Sequence, residues 1–122
     1  MINTIILCVE DNKHVQMLNK LLLENKGFMV KQAMTIAEAQ EEVRREIPGL
    51  IILDMHLPDG CGLSFLRELR KTSDVPVIAL TNNNEERCIV EDITSGYDYY
   101  ISKPYNFFML YTKIKSVLCK DD

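Results

Sequence analysis

Glu10, Asp11, Asp54, Thr81 and Lys103 each stand where a run that reads as a β-strand stops. The change is sharpest in Ile51-Ile52-Leu53-Asp54-Met55-His56-Leu57-Pro58-Asp59-Gly60. There the apolar residues 50–53 end on a carboxylate, and a Pro and a Gly follow. Such a run is a fully buried strand that stops at a loop. Three carboxylates drawn together repel by roughly 1–4 kcal/mol per contacting pair, depending on the effective dielectric. They therefore need a cation. All-oxygen ligands favour a hard ion, and Mg2+ commonly binds through one or two carboxylates, waters and phosphate oxygens. With the charge so balanced, Asp54 can act as a carboxylate nucleophile on phosphorus. Lys103 and the Thr81 hydroxyl would then hold the charge that develops on the phosphoryl oxygens.

Each residue also has a plainer reading. Glu10-Asp11-Asn12 suits a helix start, where the dipole and capping favour carboxylates and Asn. Thr81 suits a helix cap, and Lys103 a surface partner for Asp54. These readings account for residue types one at a time. They do not explain why Asp54 follows four apolar residues, nor why a lysine ends a strand opposite it.

The elements that must position these residues alternate. Ile5–Val9 is an apolar strand. A helix follows with apolar positions Val15, Leu18, Leu21 and Leu22, and Gly27 is its expected stop. Residues 28–33 form a second strand. Thr35 opens a helix, with Glu38 three residues on as a capping box. Ile36, Ala39, Val43 and Ile47 are its buried stripe, and Pro48-Gly49 breaks it. Residues 50–53 are the third strand, and Leu63, Leu66 and Leu69 mark the third helix. Residues 75–80 are the fourth strand, with Pro76 near its start, where a missing donor is tolerated. A weaker helix over 85–95 carries Ile89, Val90 and Ile93, and Gly96 stops it. Residues 99–102 are the fifth strand. The last helix has the clearest pattern: Phe107, Leu110, Tyr111, Ile114, Val117 and Leu118. Buried strands joined by helices imply an α/β fold, a parallel sheet covered on both faces with right-handed crossovers. Strand ends then share one edge, where ligands gather in open parallel sheets.

The whole chain narrows the class. Its 122 residues make one domain with room for a core. A net charge of −4 argues against this chain itself gripping nucleic acid. No apolar run reaches membrane-span length, and the first residues lack the basic region and cleavage site of a signal peptide, so a cytoplasmic location is expected. The cysteines Cys8, Cys61, Cys88 and Cys119 show no C-x-x-C or zinc spacing. They are expected to be reduced, incidental thiols.

Over essentially its whole length the chain resembles the receiver domain of two-component response regulators. The matching pieces are Val9-Glu10-Asp11-Asn12, Leu53-Asp54-Met55-His56-Leu57-Pro58-Asp59-Gly60, Ala79-Leu80-Thr81 and Gly96-Tyr97-Asp98-Tyr99-Tyr100-Ile101-Ser102-Lys103-Pro104. The resemblance implies a single-domain, doubly wound (βα)5 flavodoxin-like sandwich over residues 1–122, with sheet order 2-1-3-4-5. It implies that Asp54 takes a phosphoryl group from the phosphohistidine of a sensor histidine kinase. Mg2+ would be held by Glu10, Asp11, Asp54 and the backbone carbonyl of His56. Lys103 would contact the phosphoryl oxygens, often with a cis bond to the following proline. Thr81 would swing toward the phosphoryl group, and Tyr100 would turn inward with it. The face made by the fourth helix, fifth strand and last helix would then change its partners, a population shift.

The chain departs from the family pattern at a few points. Asn82 replaces the usual small residue after the switch hydroxyl, and Leu57 replaces the usual Met before Pro58. His56 and Asn83 stand two residues after Asp54 and Thr81, where they flank the phosphoryl group in the family. With Asn82 they are expected to tune the lifetime of the phosphorylated form. The alternative for His56 is a solvated rim residue whose carbonyl alone matters. The last helix looks most like that of receivers preceding a winged-helix DNA-binding domain. Lys113 and Lys115 sit where that subfamily pairs basic residues with acids across a dimer, and Glu91 and Asp92 are the candidate acids. Around Thr94 the usual acid is replaced, and these charges also suit a solvated helix face. The chain stops at Lys120-Asp121-Asp122, where a linker would begin. That favours a receiver cut at a domain boundary, with DNA contacted only through a further C-terminal domain, over a stand-alone receiver.

Three other functions compete. A Mg2+-dependent aspartyl-phosphate phosphatase would resemble D-x-D, with the second Asp as general acid, and here His56 holds that position. A flavodoxin-like flavin binder must cradle a phosphate in its first loop, and Glu10-Asp11 would repel it. A degenerate receiver would lack part of the set, which is complete here. The switch, not an enzyme with an external substrate, is the expected function.

Overall fold

A computed structural model describes residues 4–82 and 97–119, the side chain of Asn82 excepted. Asn83, Glu91, Asp92 and the helix expected over 85–95 lie outside the described residues. In chain order the elements are β1 (Ile5–Val9), α1 (Lys13–Asn25), β2 (Met29–Ala33), α2 (Ile36–Arg45), β3 (Leu50–Asp54), β4 (His56–Leu57), β5 (Gly60–Cys61), α3 (Gly62–Leu69), β6 (Val77–Asn82), β7 (Tyr99–Lys103) and α4 (Phe107–Leu118).

Five strands form one parallel sheet in the order β2-β1-β3-β6-β7. Counting only these strands, that is the expected order 2-1-3-4-5. The short strands β4 and β5 make a separate antiparallel ribbon just after Asp54. Nothing in the binary pattern of the sequence announced it. Successive strand residues point to opposite faces, and the core divides accordingly. Leu7, Val9, Ile51, Leu53, Val77 and Ala79 pack with residues of α2 and α3. Ile6, Cys8, Leu50, Ile52, Ile78 and Leu80 pack with Leu23 of α1 and with Leu110, Ile114 and Val117 of α4.

Three boundaries move for physical reasons. β6 starts at Val77, after Pro76, and runs on through Thr81 and Asn82, because both pair with β7. α2 ends at Arg45 and leaves Ile47 half exposed. Pro48 disfavours helical geometry in the residue before it, so the stripe expected to reach Ile47 stops at Val43. On α1 the buried residues are Gln16, Asn19 and Leu23, whereas Leu18 and Leu21 are exposed. Of the apolar positions, Val15 and Leu22 are partly buried, and two amides take buried places that a hydrophobic count assigns outward.

The cysteines also divide. Cys8 and Cys119 are free. Burial, with Glu10 nearby, pushes the Cys8 thiol up to about 12, which makes it a neutral core group. Cys61 is disulfide-bonded, contrary to the expectation of reduced thiols. Tertiary proximity decides such pairing, and sequence spacing does not show it.

Candidate functional site

The register of the sheet explains how the candidate residues meet. Cys8 lies opposite Ile52 and Val9 opposite Leu53, so Glu10 and Asp54 leave neighbouring strands at the same level. Asp54 lies opposite Leu80, and Leu80 opposite Ile101. Lys103 is therefore two residues further along β7, on the same face as Ile101. Its long side chain spans that offset. Lys103 Nζ lies 2.9 Å from Asp54 Oδ2 and 3.9 Å from Glu10 Oε1.

Glu10, Asp11 and Asp54 each offer a carboxylate oxygen within 4.8 Å of the others. Glu10 and Asp54 are buried and Asp11 is exposed. Burial first, and then the charge of Asp54, push the Glu10 carboxyl up to about 7, although the Asn12 N–H and Lys103 work against the rise. Burial opposes the charge on Lys103, yet the hydrogen bond to Asp54 and the two carboxylates hold its pKa above the ordinary value. One ammonium thus faces two buried carboxylates, with the exposed carboxylate of Asp11 beside them. A hard divalent cation fits the donor set, which is all oxygen and carries a surplus of negative charge.

The local backbone holds these groups in place. Asn12 N–H donates to Glu10 Oε2 at 2.9 Å. Asn12 Oδ1 accepts from His14 and Val15 N–H and caps α1. The helix-start reading of this tripeptide therefore holds for Asn12, whereas Glu10 turns into the site. The His56 N–H donates to Asp54 Oδ1 at 2.9 Å. Gly62 allows the loop to close: a Cβ there would lie 2.7 Å from Asp54 O and 3.1 Å from Met55 Cα. Asp59 ties the loop to α2, its carboxylate accepting from the Ile36 and Ala37 N–H groups at 2.8 and 3.2 Å. Asn12 carried an N-cap signal in the sequence. Asp59 carried none, since it caps a helix more than twenty residues away.

Thr81 is buried, one residue past Leu80 in β6. Lys103-Pro104 is cis. Tyr100 is 53% exposed, with its ring edge-on to Tyr97 at 6.1 Å; it faces outward here. His56 is an exposed rim residue. Lys113 lies over the Tyr99 ring at 4.8 Å and Lys115 over Tyr111 at 4.9 Å. Each thus has an aromatic contact within its own chain. A cleft of about 710 Å³ opens beside Glu10 and Lys103, walled by Val15, Leu18, Pro104, Tyr105 and Phe107.

Known proteins resemble this chain over most of its length. A family model described as the response regulator receiver domain matches residues 6–115. The chain is 37% identical over 115 residues to the KDP operon transcriptional regulatory protein KdpE of Escherichia coli strain K12, covering 94% of this chain and 51% of that protein. It is 35% identical over 116 residues to the phosphate regulon transcriptional regulatory protein PhoB of the same strain, covering 93% of this chain and 51% of that protein. The chain therefore spans about half the length of these curated relatives. A two-component response regulator from Clostridium difficile superposes with a TM-score of 0.90 at 31% identity, covering 98% of this chain and 99% of the other. A CheY-like receiver domain protein from Methanospirillum hungatei JF-1 superposes with a TM-score of 0.90 at 29% identity, covering 97% and 95%.

Proposed function

Because the chain belongs to the response regulator receiver domain family of two-component systems, we propose that Asp54 accepts a phosphoryl group from a sensor histidine kinase and that the chain works as a switch. The observation that carries this reading is the contact of Lys103 Nζ with Asp54 Oδ2, beside Glu10 and Asp11 at the end of a buried strand. Glu10, Asp11 and Asp54, with the backbone carbonyl of His56, would hold Mg2+. When bound there, Mg2+ supplies the positive charge that lets carboxylates and phosphoryl oxygens share one site.

The chain's own groups do the rest. Asp54 is presented at a strand end, with one oxygen fixed by the His56 N–H and the other by Lys103. A carboxylate oxygen forms the new O–P bond as the P–N bond of the phosphohistidine breaks. The bonding pair returns to the imidazole, which is reprotonated from solvent. Lys103 then passes from Asp54 to the transferred phosphoryl oxygens. Thr81 donates its hydroxyl to the same group. Tyr100, outward in the state described, turns inward as Thr81 moves. Phosphorylation thus favours one of two preformed states. A general acid two residues after Asp54, which turnover of phosphomonoesters would use, is replaced by His56.

The output we propose is transcriptional, through a DNA-binding domain joined to this one, since the relatives above are transcriptional regulatory proteins. On this reading the surface around β7 and α4, with Lys113 and Lys115, forms a homodimer contact with Glu91 and Asp92 when Asp54 is phosphorylated. The reading further places the protein in the cytoplasm; among the described residues no helix is long and apolar enough to cross a membrane.

The decisive experiment is incubation with acetyl phosphate and Mg2+, read by intact mass. Wild type gains one phosphoryl group, and Asp54→Asn gains none. Labelling that survives Asp54→Asn, or many turnovers of a phosphomonoester per chain, overturns the proposal.

A further inference from the structure

Gln16 sits on α1 at a position that apolar periodicity passes over, yet it is 4% exposed. A buried amide must find partners, and those of Gln16 are concentrated at one place. Its Nε2 lies 2.9 Å from Cys8 O, 3.0 Å from Glu10 O and 2.8 Å from Ala33 O. An amide nitrogen carries two hydrogens, so these three carbonyls share two N–H groups. The carbonyls belong to the closing ends of β1 and β2, where the two strands stop pairing. Ala33 O also accepts the Glu10 N–H at 2.9 Å.

The other end of the amide is fixed too. Gln32 Nε2 donates to Gln16 Oε1 at 3.3 Å and to Gln16 O at 3.2 Å. The carbonyl trio on one side and the Gln32 donor on the other fix which way the amide points. Glu10 O belongs to the peptide that joins Glu10 to Asp11, so holding this oxygen holds the backbone from which both carboxylates project.

We infer that Gln16 is a positioning residue for the acidic pair: through Glu10 O it fixes the Glu10–Asp11 peptide against the ends of β1 and β2, so that both carboxylates stand ready beside Asp54 before a cation arrives. The inference rests on the reading of Glu10, Asp11 and Asp54 as a cation site. An apolar side chain would fill the same space and leave that peptide untethered. Groups that orient metal ligands from behind typically change metal affinity by about 10–100-fold when removed, which sets the scale expected.

The test titrates MgCl2 into the unphosphorylated chain by calorimetry and follows amide exchange in the metal-free protein. Gln16→Met removes both donors at similar length. Gln32→Met, at an exposed position, removes only the support for the amide and should fold normally. Val117→Ala truncates the core at α4, away from the site, and reports what lost stability alone does. Gln16→Met is expected to raise the Mg2+ dissociation constant about ten-fold or more and to speed exchange of the Glu10 amide. Gln32→Met should shift both in the same direction by less. Val117→Ala should lower Tm and leave Mg2+ binding unchanged. If wild type binds Mg2+, and Gln16→Met and Gln32→Met bind it equally well while Tm falls, Gln16 only packs and the inference is overturned. If Gln16→Met does not fold, Gln32→Met decides alone. A wild type that binds no Mg2+ would overturn the cation reading itself, and the inference with it.

Discussion

Lys103 reaches Asp54 across an intervening strand: β6 lies between β3 and β7, yet Lys103 Nζ is 2.9 Å from Asp54 Oδ2. The same ammonium lies 3.9 Å from Glu10 Oε1, so it serves two buried carboxylates. Lys103→Ala is expected to slow phosphorylation of Asp54 by about 10²–10³-fold, the usual loss for one preorganised donor at developing charge. Lys103→Arg should not restore the rate, because a planar fork cannot replace a compact ammonium in this half-buried place. A time course with acetyl phosphate, read by intact mass, measures both.

Glu10 makes the site pH-dependent. Burial holds its carboxyl at about 7 in the folded chain, against 4.5 ordinarily. Between those values the folded chain holds a proton that the unfolded chain lacks. Stability of the metal-free protein therefore falls as pH rises through this window. Mg2+ needs the ionised form, so its binding should tighten as pH rises toward about 7 and level off above. Glu10→Gln should remove the slope in stability and make the metal-free protein more stable than wild type above that range. Urea denaturation and Mg2+ calorimetry across the pH range check the two signs.

Gly62 is a steric requirement. A Cβ there meets Asp54 O at 2.7 Å and Met55 Cα at 3.1 Å, and neither is the end of a flexible chain. Gly62→Ala should cost about 1–3 kcal/mol by overpacking. It should also slow phosphorylation, since relief requires the Asp54–Met55 backbone to move. Urea midpoints and phosphorylation rates are expected to fall together.

His56 stands at the rim, with its N–H committed to Asp54. The proposed role of its side chain, with those of Asn82 and Asn83, is to control the approach of water to the phosphorylated Asp54. His56→Ala combined with Asn83→Ala should open that approach and shorten the half-life of the phosphoprotein. The half-life after removal of donor, followed by mass, decides it; equal half-lives would remove the idea.

The strands were legible in the sequence because a buried parallel sheet writes itself as short apolar runs, as in β3, where all five residues are buried. The strand-end position of Glu10, Asp54 and Lys103 followed directly from those runs. Other features depended on contacts that no local pattern encodes. The buried face of α1 was not legible, because Gln16 and Asn19 are buried amides satisfied by backbone carbonyls and by Tyr105. The extension of β6 through Thr81 required the register with β7. The ribbon of β4 and β5 is too short to show a period. The capping box at Thr35 was legible, and Thr35 Oγ1 accepts from Glu38 N–H at 3.0 Å; Glu38 itself reaches back to the Met34 N–H.

Asp59 supplies the second cap of α2, and the sequence did not show it. Its carboxylate accepts from the Ile36 and Ala37 N–H groups, which holds its pKa below the ordinary value. A depressed carboxyl stabilises the fold above its unfolded pKa, and the contribution disappears as pH falls through the folded value. Asp59→Ala should therefore lower the urea midpoint at neutral pH, since a helix cap is lost. The deficit should shrink once pH falls well below 3.8, the ordinary value for the carboxyl. Asp59→Asn keeps an acceptor and should lose less at neutral pH. Because Asp59 follows Asp54 in the same loop, its loss should also speed amide exchange at His56 and Gly60 in the unphosphorylated protein. A deficit that does not change with pH would mean that the carboxylate charge plays no part in holding this loop to α2.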